Sequence, residues 1–135
     1  MGFAPQFTAR TESRNGVASI ALSGELGIAT VPVLEDHVAL IESDGVAAIM
    51  LDLRELTFLD CSALRALLAA RKRATTNGRR LILIGASARA RRLFQLTRTE
   101  FLLDEQEAVS VLGKFTESQT HRAGQTVAAL VEAHV

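Results

Sequence analysis

The clearest pattern of apolar and polar positions lies in the middle of the chain. Residues 46–51 are all apolar, and a short run of this kind is typical of a strand that is covered on both faces. From Leu64 onward the apolar residues recur at helical spacing, with Leu67 and Leu68 on the same face. Asp60 precedes this helix and is a residue type that caps helix N-termini. The stretch therefore predicts a buried strand, a loop and a capped helix.

The start of this predicted helix is the first candidate for a functional site. The first amides of a helix have no acceptor within the helix, so they favour an anion or the acceptor groups of a partner. Cys61, Ser62 and Ala63 occupy this first turn. We therefore expect the protein to act on other molecules from the surface that these residues form.

The remaining pattern predicts strands that alternate with helices. Thr30, Ser87 and Asp104 are positioned as caps of three further helices. Besides residues 46–51, the segments predicted as strands are residues 6–11, 17–22, 81–84 and 101–103. The predicted order is β-β-α-β-α-β-α-β-α. It corresponds to an α/β fold with a mixed, mostly parallel sheet, an antiparallel N-terminal edge strand and covering helices.

The length of the chain predicts a single domain with a C-terminal extension. A chain of 135 residues with 48% apolar residues can bury one hydrophobic core, and we assign this core to residues 1–115. The extension at residues 116–135 begins polar and then carries a weak amphipathic helical stripe at Val127, Leu130 and Val131. Three roles stay open for it: docking on the domain, pairing with a second copy in a homodimer, or remaining loose.

Charge and composition argue against several classes of function. The formal net charge is zero, which argues against bulk electrostatic attraction to nucleic acid or to a membrane. Between Asp60 and Glu100 there is no acidic residue and ten of the fifteen Lys and Arg residues, which form solvated helix faces or a surface for an acidic partner. No segment has the length of a membrane span, and the N-terminus does not resemble a signal peptide. We expect a soluble cytoplasmic protein that binds no nucleic acid and does not insert into a membrane.

Cys61 is the candidate for covalent chemistry, and its context argues against an enzyme. A catalytic thiol needs a base, but His37, His121 and His134 lie outside any motif. Leu67 occupies the position at which a phosphatase-like Cys-x5-Arg motif has its arginine. We therefore expect no catalytic residue, no metal site and no cofactor. Two interpretations of Cys61 stay open, a small residue that fits a tight helix start and a redox-active or metal-sensing thiol.

Short motifs mark the boundaries between the predicted elements. They are Leu22-Ser23-Gly24-Glu25-Leu26 before Ala29-Thr30, Leu51-Asp52-Leu53, Thr57-Phe58-Leu59-Asp60, Arg79-Arg80-Leu81-Ile82-Leu83 and Ala90-Arg91-Arg92-Leu93-Phe94-Gln95-Leu96-Thr97. In this order and spacing they resemble the STAS domain, the fold of bacterial anti-sigma factor antagonists and of sulfate-transporter tails. The resemblance covers roughly residues 7–112.

The resemblance implies a function in transcription regulation by partner switching. In the family, an antagonist binds an anti-sigma factor that is also a serine kinase, and this binding frees a sigma factor. The kinase phosphorylates the serine that follows the aspartate at the helix start, and the phosphorylated antagonist dissociates. A phosphate adds nearly two negative charges at the centre of the docking surface, where the partner contacts cannot accommodate them. The expected partner is therefore an anti-sigma factor of the serine kinase type.

The resemblance also assigns the site residues. The partner-binding residues are Gly24, Glu25, Asp60, Ser62, Ala63 and Leu64. Cys61 replaces the usual phosphoacceptor serine, Ala63 replaces a glycine, and Gly27 replaces an aspartate. Ser62 keeps a hydroxyl, but on a helix it points about a quarter turn away from position 61. Cys61 and Ser62 are thus the candidates for the regulatory position, and Ser62 is either an ordinary first-turn serine or a displaced phosphoacceptor.

Two alternatives to an anti-sigma factor antagonist stay open. The first is a STAS accessory subunit of a lipid-transporting ABC complex, whose partner would be an ABC ATPase. The second is a redox-sensing STAS protein that acts through Cys61. In that case, oxidation of the thiol would change the affinity for the partner.

Overall fold

The strands and helices follow the predicted order with one exception. The computed structural model describes residues 6–116. The elements in chain order are β1 (Phe7–Arg14), β2 (Val17–Leu26), α1 (Val31–Ser43), β3 (Ala48–Leu59), α2 (Cys61–Thr76), β4 (Arg80–Ile84), α3 (Ala88–Leu96), a short 3-10 helix (Glu100–Leu103) and α4 (Glu105–Phe115). No helix in this part of the chain is long and apolar enough to cross a membrane.

The four strands form one mixed sheet in the order β1-β2-β3-β4. β1 and β2 form an antiparallel hairpin, whose turn places Asn15 and Gly16 at positive φ angles of 53° and 76°. These residue types tolerate the left-handed conformation that a tight hairpin turn requires. β2 runs parallel to β3, and β3 runs parallel to β4. The predicted α/β fold with an antiparallel N-terminal edge strand is therefore confirmed.

The predicted strand at residues 101–103 is wrong, because this segment belongs to the 3-10 helix Glu100–Leu103. The amide of Leu102 donates a hydrogen bond to the carbonyl of Thr99 at 3.0 Å, within the turn rather than across to a strand. Leu102 is 2% exposed, whereas Phe101 is 51% exposed. A run of three apolar residues carries too little periodicity to separate a strand from a single helical turn.

Helices cover both faces of the sheet. On one face, α1, α2 and α3 form the main core with the strands, and Leu34, Leu67 and Phe94 are among its buried helical members. On the other face, α4 forms a smaller buried cluster with the strands. Successive side chains of a strand point to opposite faces, so the neighbours Met50 and Leu51 belong to different clusters. β3 is therefore covered on both faces where its sequence is continuously apolar.

β3 is the longest strand, and it continues past β4. It pairs with β4 only as far as Asp52, opposite Ile84, but with β2 as far as Leu59, opposite Leu26. Binding sites of parallel sheets lie at the edge where the strands end. In this protein that edge leads into the loop after β2 and into the start of α2.

The predicted C-terminal extension at residues 116–135 lies outside the described residues, except for Thr116. Thr116 follows α4, and its hydroxyl donates a hydrogen bond to the carbonyl of Leu112 at 3.0 Å. The role of the extension and the domain boundary at residue 115 both stay predictions.

Candidate functional site at the start of α2

Asp60 fixes the start of α2. It follows the last residue of β3 and has an extended backbone, with φ −112° and ψ −176°. Its Oδ1 atom accepts a hydrogen bond from the amide of Ala63 at 2.9 Å, and its carbonyl accepts one from the amide of Leu64 at 3.0 Å. The Asp60 amide donates to the carbonyl of Leu26 at 3.4 Å, which ties the helix start to the end of β2. The predicted cap is confirmed.

The first turn of α2 has exposed and buried positions. Cys61 is exposed with a free thiol, and Ser62 is half-buried beside it. Ala63 and Leu64 are only 0% and 5% exposed and belong to the main core. Their side chains support the turn from inside, where a partner on the surface cannot reach them. In this turn, the side chains of Cys61 and Ser62 are therefore the ones that reach the surface, and the part of any of these residues in partner binding stays a prediction.

Gly24 and Glu25 belong to the end of β2 rather than to a separate loop. Gly24 has a φ angle of 95°, and a Cβ atom there would collide with the carbonyl oxygen of Gln6, so this position requires glycine. The amide of Glu25 donates to the same carbonyl at 2.8 Å. Glu25 is exposed and lies opposite Phe58 of β3. Gly24 thus shapes the backbone, and Glu25 presents a carboxylate near the start of α2.

A buried threonine holds the loop between β2 and α1. Thr30 is 6% exposed, and its hydroxyl donates to the carbonyl of Glu25 at 2.6 Å and accepts from the amide of Gly27 at 2.9 Å. Ile28 in this loop is 77% exposed, and Phe58, which lies close to Gly27, is 47% exposed. Ile28 of this loop and Phe58 of β3 therefore present two large apolar side chains beside the start of α2, and no sequence pattern predicted that either would be exposed.

Gly27 packs directly against the capping carboxylate. A Cβ atom at residue 27 would lie 2.8 Å from Asp60 Oδ2 and 3.3 Å from Phe58 Cε2, both closer than ordinary van der Waals contact. The amide of Ala63 holds the other carboxylate oxygen of Asp60. The carboxylate therefore cannot move aside without loosening the cap of α2.

Gly27→Ala is expected to lower the free energy of unfolding by about 1–2 kcal/mol, because the new methyl group displaces Asp60 from its capping position. Urea denaturation followed by circular dichroism measures this change. Asp60→Ala is the matched background. Once the carboxylate is absent, the same change at Gly27 is expected to cost less than about 0.5 kcal/mol. Equal costs in the two backgrounds would contradict the proposed clash.

An ion pair between the buried Asp52 and the exposed Arg54 of β3 lies away from the start of α2. Asp52 is 8% exposed, and Arg54 donates to its carboxylate from the backbone amide at 3.0 Å and from Nε at 2.9 Å. The hydrogen bonds that the Arg54 guanidinium donates to Asp52 raise the pKa of Arg54 above its ordinary value, although burial of the guanidinium opposes the change. Within residues 6–116, no group of three or more His, Cys, Asp or Glu side chains could hold a metal ion.

Comparisons with known proteins agree with this fold. A sequence model described as STAS domain matches residues 8–111. The anti-sigma-B factor antagonist of Staphylococcus aureus is 28% identical over 101 residues, and the match covers 75% of this chain and 94% of that relative. The chain thus spans nearly the whole length of this relative.

Two solved structures share the fold. The anti-sigma factor antagonist from Mycobacterium paratuberculosis has a TM-score of 0.61 and 25% identity, and the match covers 73% of this chain and 83% of that protein. The Bacillus cell fate determinant SpoIIAA in its phosphorylated form has a TM-score of 0.60 and 23% identity, with 76% and 97% covered. Because the family model spans well over half of the chain, from β1 to α4, this protein belongs to the STAS domain family.

Proposed function

We propose that this protein is an anti-sigma factor antagonist, which binds an anti-sigma factor of the serine kinase type and so releases a sigma factor. Its family and the relatives that carry this name support the proposal. The observation that carries it is an exposed helix start beside two large exposed apolar side chains, at one edge of the sheet. We define the α2-start surface as Glu25, Ile28, Phe58, Cys61 and Ser62.

The α2-start surface has the composition of a protein contact. Exposed apolar side chains that are surrounded by polar groups favour association with another protein, and Ile28 and Phe58 provide them here. Complete burial of such a side chain is worth about 1.5–3 kcal/mol. Glu25 contributes a charge, and the first amides of α2 contribute hydrogen-bond donors, which select the partner rather than add much affinity.

Cys61 determines how the proposed contact is regulated. It lies directly after Asp60, where serine-bearing antagonists of the family carry their phosphoacceptor. A serine kinase transfers a phosphoryl group to a hydroxyl, which the Cys61 side chain lacks. Ser62 is half-buried and points about a quarter turn elsewhere. The proposed antagonist therefore stays bound to its partner in the presence of Mg-ATP.

A titration tests the proposed function. The protein is titrated into the purified anti-sigma factor kinase of the same cell by isothermal calorimetry, and release of the sigma factor is followed by size-exclusion chromatography. Ser62→Asp is expected to weaken binding about tenfold or more, or about 1.4 kcal/mol, because it adds a negative charge to the α2-start surface. A carboxylate near a helix N-terminus is favoured by the helix dipole, so the fold persists.

Ser110→Asp is the matched control, because Ser110 is an exposed serine of α4, on the other face of the sheet. We expect this variant to bind like the wild type. Equal affinities of the wild type and Ser62→Asp would place the contact elsewhere on the protein. If the wild type binds no anti-sigma factor of that cell, the proposed function is wrong.

A further inference from the structure

β3 offers a free strand edge next to the α2-start surface. Its pairing with β4 ends at Asp52, opposite Ile84, so residues 53–59 have a strand neighbour, β2, on one side only. At about 3.3 Å per residue, this segment is ~20 Å long. A free edge presents backbone amides and carbonyls that can pair with a strand of another chain.

A groove of about 220 Å³ lies between this free edge and the start of α3. Leu56 and Phe58 line it on the strand side, and Leu93 lines it on the helix side. Leu56 and Leu93 are half-buried, so apolar surface remains open to solvent in the groove. Arg89 is the one charged residue among the nine that line it. The groove is therefore apolar with a single positive charge.

The charged residue that lines the groove is basic. The chain has no acidic residue between Asp60 and Glu100, and Arg89 is exposed in the first turn of α3. Glu55, the acidic residue within the free segment of β3, lines a separate cavity together with Arg54. A carboxylate that enters the groove thus meets Arg89 without a competing acid among the lining residues. Arginine suits this contact, because its planar fork can donate two parallel hydrogen bonds to a carboxylate.

We propose that this groove binds an extended segment of the anti-sigma factor. The segment pairs with the free edge of β3, places an apolar side chain against Leu56 and Leu93, and places a carboxylate at Arg89. The inference rests on the proposed function, since one partner would contact the α2-start surface and the groove together. Phe58 belongs to both and makes them continuous. Strand addition of this kind gives affinity through main-chain hydrogen bonds and selectivity through side-chain pockets.

Charge reversal at Arg89 tests the groove. Arg89→Glu is expected to weaken the affinity for the purified anti-sigma factor kinase about tenfold in the calorimetric titration. Because a glutamate in the first turn of a helix is favoured by the helix dipole, α3 is expected to fold normally, and an unchanged thermal transition checks this. Arg92→Glu makes the same charge change at an exposed position of α3 outside the groove. It is expected to weaken binding less than about threefold.

Hydrogen exchange supplies a readout that a general charge effect would not change. The amide of Arg54 already donates to Asp52, so the amides of residues 55–59 that face the groove are the ones expected to exchange rapidly in the free protein and to become protected in the complex. Protection of the same amides in the free protein would mean that this chain or a second copy already fills the groove. That result would overturn the proposal.

The outcomes distinguish this proposal from the proposed function. If Ser62→Asp weakens binding while Arg89→Glu binds like the wild type, and residues 55–59 gain no protection, the partner docks at the start of α2 alone. The groove proposal is then wrong, and the proposed function stands. If the wild type does not bind the anti-sigma factor at all, both fail together.

Discussion

Cys61→Ser is expected to turn the protein into a substrate of the proposed kinase partner and to make binding sensitive to ATP. Cys61 is exposed in the first turn of α2, so a serine there presents its hydroxyl at the centre of the α2-start surface. Phosphorylation would add nearly two negative charges close to Asp60 and Glu25. We expect the phosphorylated variant to bind the anti-sigma factor about 100-fold more weakly, or about 2.7 kcal/mol.

Intact-protein mass spectrometry after incubation with the kinase and Mg-ATP measures the phosphorylation, and calorimetry measures the affinity. Cys61→Ala is the matched control, because it has neither hydroxyl nor thiol. It and the wild type are expected to stay unmodified and bound. A Cys61→Ser protein that binds the kinase but gains no phosphate would contradict the role given to position 61. A phosphate on Ser62 of the wild type would identify a displaced phosphoacceptor.

Leu64→Asp is expected to destabilise the domain strongly rather than only to remove a partner contact. Leu64 is 5% exposed and belongs to the main core together with Leu51 and Leu67. A carboxylate that is buried there without a partner costs about 3–5 kcal/mol. This is a large fraction of the about 5–15 kcal/mol by which a typical domain is stable. Thermal and urea denaturation, both followed by circular dichroism, measure the loss.

Leu64→Met is the control for this position, since it keeps the volume and apolar character of the side chain. We expect it to cost less than about 1.5 kcal/mol. If Leu64→Asp instead melts cooperatively within about 1 kcal/mol of the wild type, Leu64 is not part of the core. Leu64 would then belong to the α2-start surface.

The order of the elements and the cap of α2 were predictable because their signals are local. A continuously apolar run at residues 46–51 identifies a strand that is covered on both faces, and both sheet faces are indeed covered there. An aspartate just before a helical pattern predicts a cap, and Asp60 forms it with the amide of Ala63. Both signals arise within a few residues, so they do not depend on the tertiary structure.

The contact surface was less predictable because burial depends on what packs against a residue. The helical pattern placed Leu64 near the helix start but could not show that the sheet covers its side chain. Ile28 is isolated between Gly27 and Ala29, so no periodicity marks it. Ile28 is exposed because the hydrogen bonds of Thr30 fix the conformation of the loop that carries it. Which side chains of a binding site are exposed can therefore be predicted from sequence only where the elements that pack beneath them are also known.

The hydrogen bond between Gln6 and Glu25 links the N-terminal end of the described chain to the α2-start surface. The carbonyl of Gln6 accepts a hydrogen bond from the amide of Glu25. Gly24 leaves room for this carbonyl because it has no Cβ atom. A purification tag, a linker or a protease cut next to Gln6 thus disturbs the end of β2, which carries Glu25. Attaching the protein to a sensor chip through this end would place the attachment next to the α2-start surface, whose binding is being measured. Exposed positions of α4, such as Ser110, offer an anchor on the other face of the sheet.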